Sequence, residues 1–232
     1  LFRSGMLAYH FSKAGESEKT EKYLIKAGEE ALRSSGFGDA FQYYKEALDI
    51  YKQTHEKDLD PDKIATFERN IALSLYDRGH LSESLEHFEK ALRPYWGNMP
   101  SNWISALPKM TSAVFHLLIG IYIPALKFRG TPTTEDIDQI DLYQKKCKAL
   151  GVLDPVRFVF NFLYLNKRVS KFDIRKYKLG LEVFMETSAL FSFSGISFGL
   201  GRKILDSAAE KVDRKNLSLI TAYDFLDTLH NY

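Results

Sequence analysis

Gly36-Phe37-Gly38-Asp39-Ala40-Phe41-Gln42-Tyr43-Tyr44-Lys45-Glu46-Ala47-Leu48 and Gly79-His80-Leu81-Ser82-Glu83-Ser84-Leu85-Glu86-His87-Phe88-Glu89-Lys90-Ala91-Leu92 are two versions of one pattern. Each has a turn glycine, a large apolar residue, a small residue (Ala40, Ser84), an aromatic four later (Tyr44, Phe88) and Ala-Leu three later again. Spacings of four and three place these side chains on one face of a helix. The small residue lets a neighbouring helix approach, and the aromatic fills the gap between them. Counting back from Ala40 puts Leu24, Ala27 and Gly28 on the face of a preceding helix, and counting back from Ser84 puts Ile71, Ala72 and Leu75 there.

Outside these two runs, apolar residues recur with helical period and no stretch alternates with period two for long. Glycine and proline punctuation predicts helices over 2–14, 17–34, 37–56, 61–78, 81–95, 101–127, 133–150, 154–169, 172–193, 196–212 and 215–230. The short connections predict antiparallel neighbours throughout. The small-aromatic-alanine run resembles the second helix of a tetratricopeptide repeat. The copies stand 44 residues apart, against about 34 for that repeat. The excess falls in 54–63, which contains Asp60-Pro61 and predicts lengthened helices with a longer connection. Leu7-Ala8-Tyr9-His10-Phe11 followed by Ala14-Gly15-Glu16 is a third, partial copy. The expected fold is therefore all-α: an α-solenoid of antiparallel helix pairs, tetratricopeptide-like, in a right-handed superhelix. Clear repeats occupy 1–97, and degenerate helix pairs over 98–232 continue the stack, because such a pair cannot bury its apolar face alone.

The composition agrees with a packed chain. With 232 residues, 45% of them hydrophobic, 14 Gly, 7 Pro and 1 Cys, collagen, disorder and a disulfide scaffold are excluded. Net charge is +2, which singles out no polyanionic partner. Residues 1–98 carry −3 and the remainder +5. Leu1-Phe2-Arg3 opens without an initiator Met and without a signal-peptide pattern, which predicts a cytoplasmic piece of a longer polypeptide.

Several runs resemble one family. Leu7 to Gly15 and Tyr23-Leu24-Ile25-Lys26-Ala27-Gly28-Glu29-Glu30-Ala31-Leu32-Arg33-Ser34-Ser35 are similar to the start of the tetratricopeptide region in large bacterial signalling ATPases. Pro124-Ala125-Leu126-Lys127-Phe128-Arg129 and Ser188-Ala189-Leu190-Phe191-Ser192-Phe193-Ser194-Gly195-Ile196-Ser197-Phe198 resemble its distal region. The resemblance implies a parent with an adenylate or guanylate cyclase domain or a Ser/Thr kinase domain, then a P-loop ATPase of the STAND type, then this array. None of the parent's nucleotide-binding or cyclase motifs lies within these 232 residues, so the resemblance implies a non-catalytic interaction or sensor segment.

Tests for chemistry point the same way. Gly195-Ile196-Ser197-Phe198-Gly199-Leu200-Gly201-Arg202-Lys203 lacks the Gly-Lys-Ser/Thr order of a phosphate loop, and reads instead as a helix corner closely packed at glycine. The six histidines show no metal-ligand frame. His80 is expected at a helix cap and His87 on the outward side of its helix. Cys147 follows Lys145 and Lys146 but falls on an inward face, and the acidic start after Thr133 reads as a cap opposing the helix dipole. No catalytic residue, metal or cofactor is expected.

Two surfaces carry a functional reading. The first helices of such repeats line an inner groove, onto which the resemblance maps Lys22, Glu29, Arg33, Thr66, Arg69, Asn70 and Tyr76. The implied partner is a protein, a peptide or another domain of the same chain. The set does not reproduce the Lys/Asn clamp for a terminal carboxylate. The second surface is a basic patch of Lys167, Arg168, Lys171, Arg175, Lys176 and Lys178, for which a solvated corner is the default and a nucleic acid or an acidic neighbour domain the alternative. A further alternative is a helical enzyme or small-molecule sensor with a pocket in 155–203. The apolar run 113–126 falls short of the roughly 20 residues needed to span a bilayer. It reads as a helix buried on most sides or, if it protrudes, as a docking patch.

Overall fold

The computed structural model describes residues 3–97, 103–122, 130–174, 177–195, 197–209, 212 and 216–230. These form α1 (Arg3–Lys13), α2 (Ser17–Arg33), α3 (Phe37–Thr54), α4 (Pro61–Asp77), α5 (Leu81–Trp96), α6 (Trp103–Tyr122), α7 (Thr134–Leu153), α8 (Pro155–Val169), α9 (Lys178–Phe193), α10 (Phe198–Ala209) and α11 (Leu217–His230). The fold is all-α, with no strand among the described residues, and helices of the first unit pack as in a tetratricopeptide-like solenoid. The chain divides into two compact units, Leu1–Asn98 and Met99–Tyr232.

In the first unit each helix packs on the next, from α1 to α5. Three turns share one geometry. The amide of Glu16 donates to Phe11 O at 3.0 Å, Gly36 to Ala31 O at 2.8 Å and His80 to Leu75 O at 2.8 Å. The residue before each is left-handed: Gly15 at φ 75°, Ser35 at φ 59° and Gly79 at φ 86°. This is the Schellman closure of a helix. The turn glycine of the first copy, Gly36, is the N-cap of α3, and the left-handed residue beside it is Ser35. A serine tolerates that conformation less well than glycine, but the 44-residue register places it there. The start of α4 matches expectation, with Pro61 in the first turn and Asp60 accepting from the Asp62 amide at 2.9 Å.

The core of this unit runs through Leu24, Ala31, Ala40, Tyr44, Ala47, Leu48, Phe67, Ile71 and Leu75. Tyr44 lies flat against Gly28, where an added Cβ would come within 2.7 to 2.9 Å of ring atoms. The positions 44 residues on are Ala72 and Phe88, both fully buried. Two polar contacts tie the helices laterally. Lys63 of α4 meets the nearly buried Glu21 of α2 at 2.7 Å and lies 4.1 Å from the Tyr51 ring centre. Glu68 of α4, also buried, pairs with His87 of α5. His87 is thus turned toward α4, not outward as the sequence suggested, because a buried carboxylate there requires a partner.

In the second unit α6 packs chiefly on α8, its next-but-one neighbour, while α7 lies on α8 and α9, and α9 also carries α10 and α11. The Gly130 amide donates to Lys171 O at 3.1 Å and the Asp173 amide to Gly130 O at 3.0 Å. This clip between the segment before α7 and the turn after α8 uses the backbone of 171–173. Helix α9 therefore begins at Lys178, six residues later than its periodicity predicts. The expected cap at the start of α7 is Thr133, which closes a capping box with Asp136. Cys147 is fully buried, and burial pushes its thiol pKa up, which makes it an inert packing group.

Polar side chains cross the second core in pairs. Tyr143 Oη donates to Asn161 Oδ1 at 2.8 Å, Asn166 Nδ2 bonds Thr187 Oγ1, and Gln144 Nε2 donates to Glu186 Oε2 at 2.9 Å. Burial raises the Glu186 pKa above the ordinary carboxylate value, and the pull of Gln144 and Lys148 does not cancel it. The proton is then held more tightly in the folded state than in the unfolded one. Stability from this group is present below the unfolded pKa and is lost as pH rises through the folded one. Thermal melts of Glu186→Gln are therefore expected to decline slightly less than those of wild type as pH rises above the ordinary carboxylate range, the difference being small because 38% of the Glu186 side chain stays exposed. An identical pH slope in both would remove Glu186 from the account.

Candidate ligand groove of the first unit

At about 100° per residue, Lys22, Glu29 and Arg33 fall on one stripe of α2, and all three are exposed. On α4, Thr66 is exposed, with Arg69, Asn70 and Tyr76 half-buried beside it. Local structure fixes the α4 row. Thr66 Oγ1 donates to Asp62 O at 2.9 Å, Ser74 Oγ donates to Asn70 O at 2.8 Å, and the Tyr76 ring stands edge-on to buried Phe88 at 6.0 Å. The Glu21–Lys63 pair joins α2 to α4 at the level of Lys22. Beneath the α2 row lies Tyr44, whose pKa is pushed up to about 12 by burial and by Glu29, with Arg33 opposing. Its hydroxyl thus lies within electrostatic reach of two of the surface residues.

The seven positions carry three cations, Lys22, Arg33 and Arg69, against one carboxylate, Glu29. Such a surface offers donors and positive charge to a carbonyl-rich or acidic segment, and Tyr76 offers one aromatic edge. It contains no pair of titratable groups with the reach of a nucleophile and base, and no group of three metal-capable side chains exists among the described residues. Sequence reasoning overlooked Glu21, Lys63 and Glu68 and misplaced His87, which together tie these helices to one another. A signal was available, since Glu21 and Lys63 lie 42 residues apart, nearly one repeat, and so occupy adjacent sites on successive first helices.

Residues 69–93 match the tetratricopeptide repeat family. The matched stretch is the later part of α4 with most of α5, the helix pair that contains Arg69, Asn70, Tyr76 and Phe88. Repeats of this family mediate protein interactions and are non-catalytic. No curated protein and no solved structure matches the chain at a significant level.

The other surface candidates distribute differently. Of the basic patch, Lys167 donates to Ser112 Oγ at 2.8 Å, Arg168 is half-buried, Lys171 is exposed and Lys178 pairs with Glu182 at 3.4 Å. Arg175 and Lys176 lie outside the described residues, as does 123–129. Within 155–203 the interior is filled by Phe162, Leu163, Leu165, Leu181, Val183 and Met185, all buried. An open cavity of about 600 Å³ lies elsewhere, lined by Leu107, Pro108, Thr111, Ser112 and Phe115 of α6. That helix corrects the expectation of burial on most sides: Ala113 and Leu117 are buried, but Phe115 is 62% and Tyr122 56% exposed, because α8 and α10 cover only one of its faces. Among the described residues, no helix is long and apolar enough to cross a membrane.

Proposed function

We propose that the α2–α4 surface is the ligand groove of a tetratricopeptide interaction segment, and that this segment regulates a larger cytoplasmic signalling protein of bacterial type. The carrying observation is the family match at 69–93 together with its copy 44 residues earlier, which puts the candidate rows of α2 and α4 on successive first helices. The resemblance of 7–15 and 23–35 to signalling ATPases supports a parent with a STAND-type ATPase and a cyclase or kinase head. A partner, or another domain of the parent, would bind Lys22, Glu29, Arg33, Thr66, Arg69, Asn70 and Tyr76. Its differential affinity for two parent conformations would shift the balance between them. The chain itself supplies recognition rather than chemistry.

The test uses the purified protein and a random dodecapeptide phage library. Selected peptides are expected to lose at least about tenfold in affinity on Lys22→Glu with Arg33→Glu, about 1.4 kcal/mol or more, and to be indifferent to Lys171→Glu. Peptides indifferent to the groove changes, or ATP hydrolysis or cyclic nucleotide formation by the pure protein, would sink the reading.

A further inference from the structure

Helix α6 meets protein on one side only. Ala113 and Leu117 point into the second unit, where α8 and α10 pack on the helix. Residues about half a turn away in phase present Leu107, Phe115 and Tyr122, exposed to 49%, 62% and 56%. Thr111 is exposed between them, and Leu118 and Ile119 are half-buried at the margins. Leu107 and Tyr122 stand about 22 Å apart along the helix axis. The surface over Leu107, Thr111 and Phe115 is open and lined by α6 alone. A peptide or helix partner is gripped by a groove with walls, whereas a row of apolar side chains along one open helix side suits a plane.

The charge around this row has one sign. Neither α6 nor α8 contains an Asp or Glu, and the sequence has none between Glu89 and Glu135. The acidic residue of α10, Asp206, is held by Arg202 at 2.9 Å. Against it the three helices carry Lys109, Arg157, Lys167, Arg168, Arg202 and Lys203. Two of these lysines come from other helices to the α6 row itself. Lys167 donates to Ser112 Oγ at 2.8 Å, and Lys203 donates to Tyr122 Oη at 3.1 Å with its ammonium 4.7 Å from the ring centre. An ammonium has three donors, and its long stem lets the charge reach past an apolar row to a headgroup. A tyrosine with a lysine at the end of such a row is the pairing found where hydrocarbon meets water.

We infer that α6 docks the second unit on the surface of a membrane containing anionic lipid. Leu107, Phe115 and Tyr122 enter the boundary between headgroups and acyl chains, while Lys167 and Lys203 meet lipid phosphates. The helix lies in the plane of the surface, since its other side is occupied by α8 and α10. Apolar area and charge act together in such binding, so neither alone should suffice.

Co-sedimentation of the full chain with vesicles tests this, using phosphatidylcholine alone and phosphatidylcholine with about 30% phosphatidylserine. Binding to the mixed vesicles is expected to exceed binding to the neutral ones by at least about tenfold at low salt, and to weaken in about 0.3 M salt. Phe115→Glu with Tyr122→Glu should lower it by about tenfold or more. Lys167→Glu with Lys203→Glu should remove the preference for phosphatidylserine. Val152→Glu with Val156→Glu alters another exposed apolar corner, at the α7–α8 turn, and should leave binding unchanged. Circular dichroism checks helix content; a pair that loses it is replaced by Phe115→Ser with Tyr122→Ser, or by Lys167→Gln with Lys203→Gln. Equal binding to both vesicle types, binding indifferent to the α6 changes, or no binding at all overturns the inference. So does sedimentation equilibrium showing that the chain ignores vesicles and self-associates through Phe115.

Discussion

Replacing Tyr44 by alanine is expected to destabilise the first unit by about 3–5 kcal/mol, the range for truncating a fully buried aromatic. Its ring is 1% exposed, and it occupies the space that Gly28 leaves open between α2 and α3. No neighbouring side chain is positioned to collapse into that space from the Gly28 side, since glycine has none. Phe88, at 0% exposure in the second copy, should behave alike. The complementary change runs against helix propensity. Alanine at Gly28 should gain about 1 kcal/mol as a helix former, yet its Cβ would fall 2.7 Å from the Tyr44 ring. Overpacking of that kind costs about 1–3 kcal/mol, so a net loss is expected. In the double variant the clash is absent, and its cost should be smaller than the sum of the two single changes. Urea unfolding of the full chain followed by circular dichroism measures all three. A loss below about 1 kcal/mol for Tyr44→Ala would refute the packing assignment.

The second large effect is expected at Gly201, where α10 crosses α9. A Cβ there would lie 2.8 Å from the backbone oxygen of Ser188 and 2.2 Å from Ser192 Oγ. Ser192 can rotate away, though at the expense of its 3.0 Å bond to His230 Nε2, but the Ser188 carbonyl is part of α9 and cannot. Valine at 201 must push the helices apart, with an expected cost of about 3 kcal/mol. Gly199, two residues earlier, supplies the internal comparison. Nothing lies within 4 Å of its added Cβ, so Gly199→Ala should be neutral or stabilising by up to about 1 kcal/mol. Thermal melts of the two variants should therefore move in opposite directions or differ by many degrees. Equal tolerance of both would mean that α9 and α10 do not meet at Gly201.

The repeat was legible because packing between successive helix pairs demands the same residue sizes at the same places. Gly28 with Tyr44 and Ala72 with Phe88 express one geometric requirement twice, and a reader comparing 36–48 with 79–92 sees it directly. Cys147 was placed inward by period alone, and Thr133 with Asp136 announced their cap. The candidate groove was legible only as a set of positions on two helices. What holds those helices side by side, Glu21 with Lys63, joins residues whose pairing depends on superposing one repeat on the next. His87 was misplaced because helical phase describes a helix relative to its own core and takes no account of a buried carboxylate on a neighbour.

By itself, then, the sequence determined the all-α class, most helix boundaries, the repeat register of residues 17–96 and the absence of phosphate-loop and metal-ligand frames. These are local properties, set by periodicity, turn chemistry and side-chain volume within a few turns of helix. Tertiary structure decided the packing of α6 on α8, the clip between Gly130 and the 171–173 backbone that delays α9, and the outward turn of Phe115 and Tyr122 on α6. Each of these depends on which distant helix covers which face. A helix with apolar residues on more than one side is compatible with several neighbours, and only the assembled unit shows which side remains open.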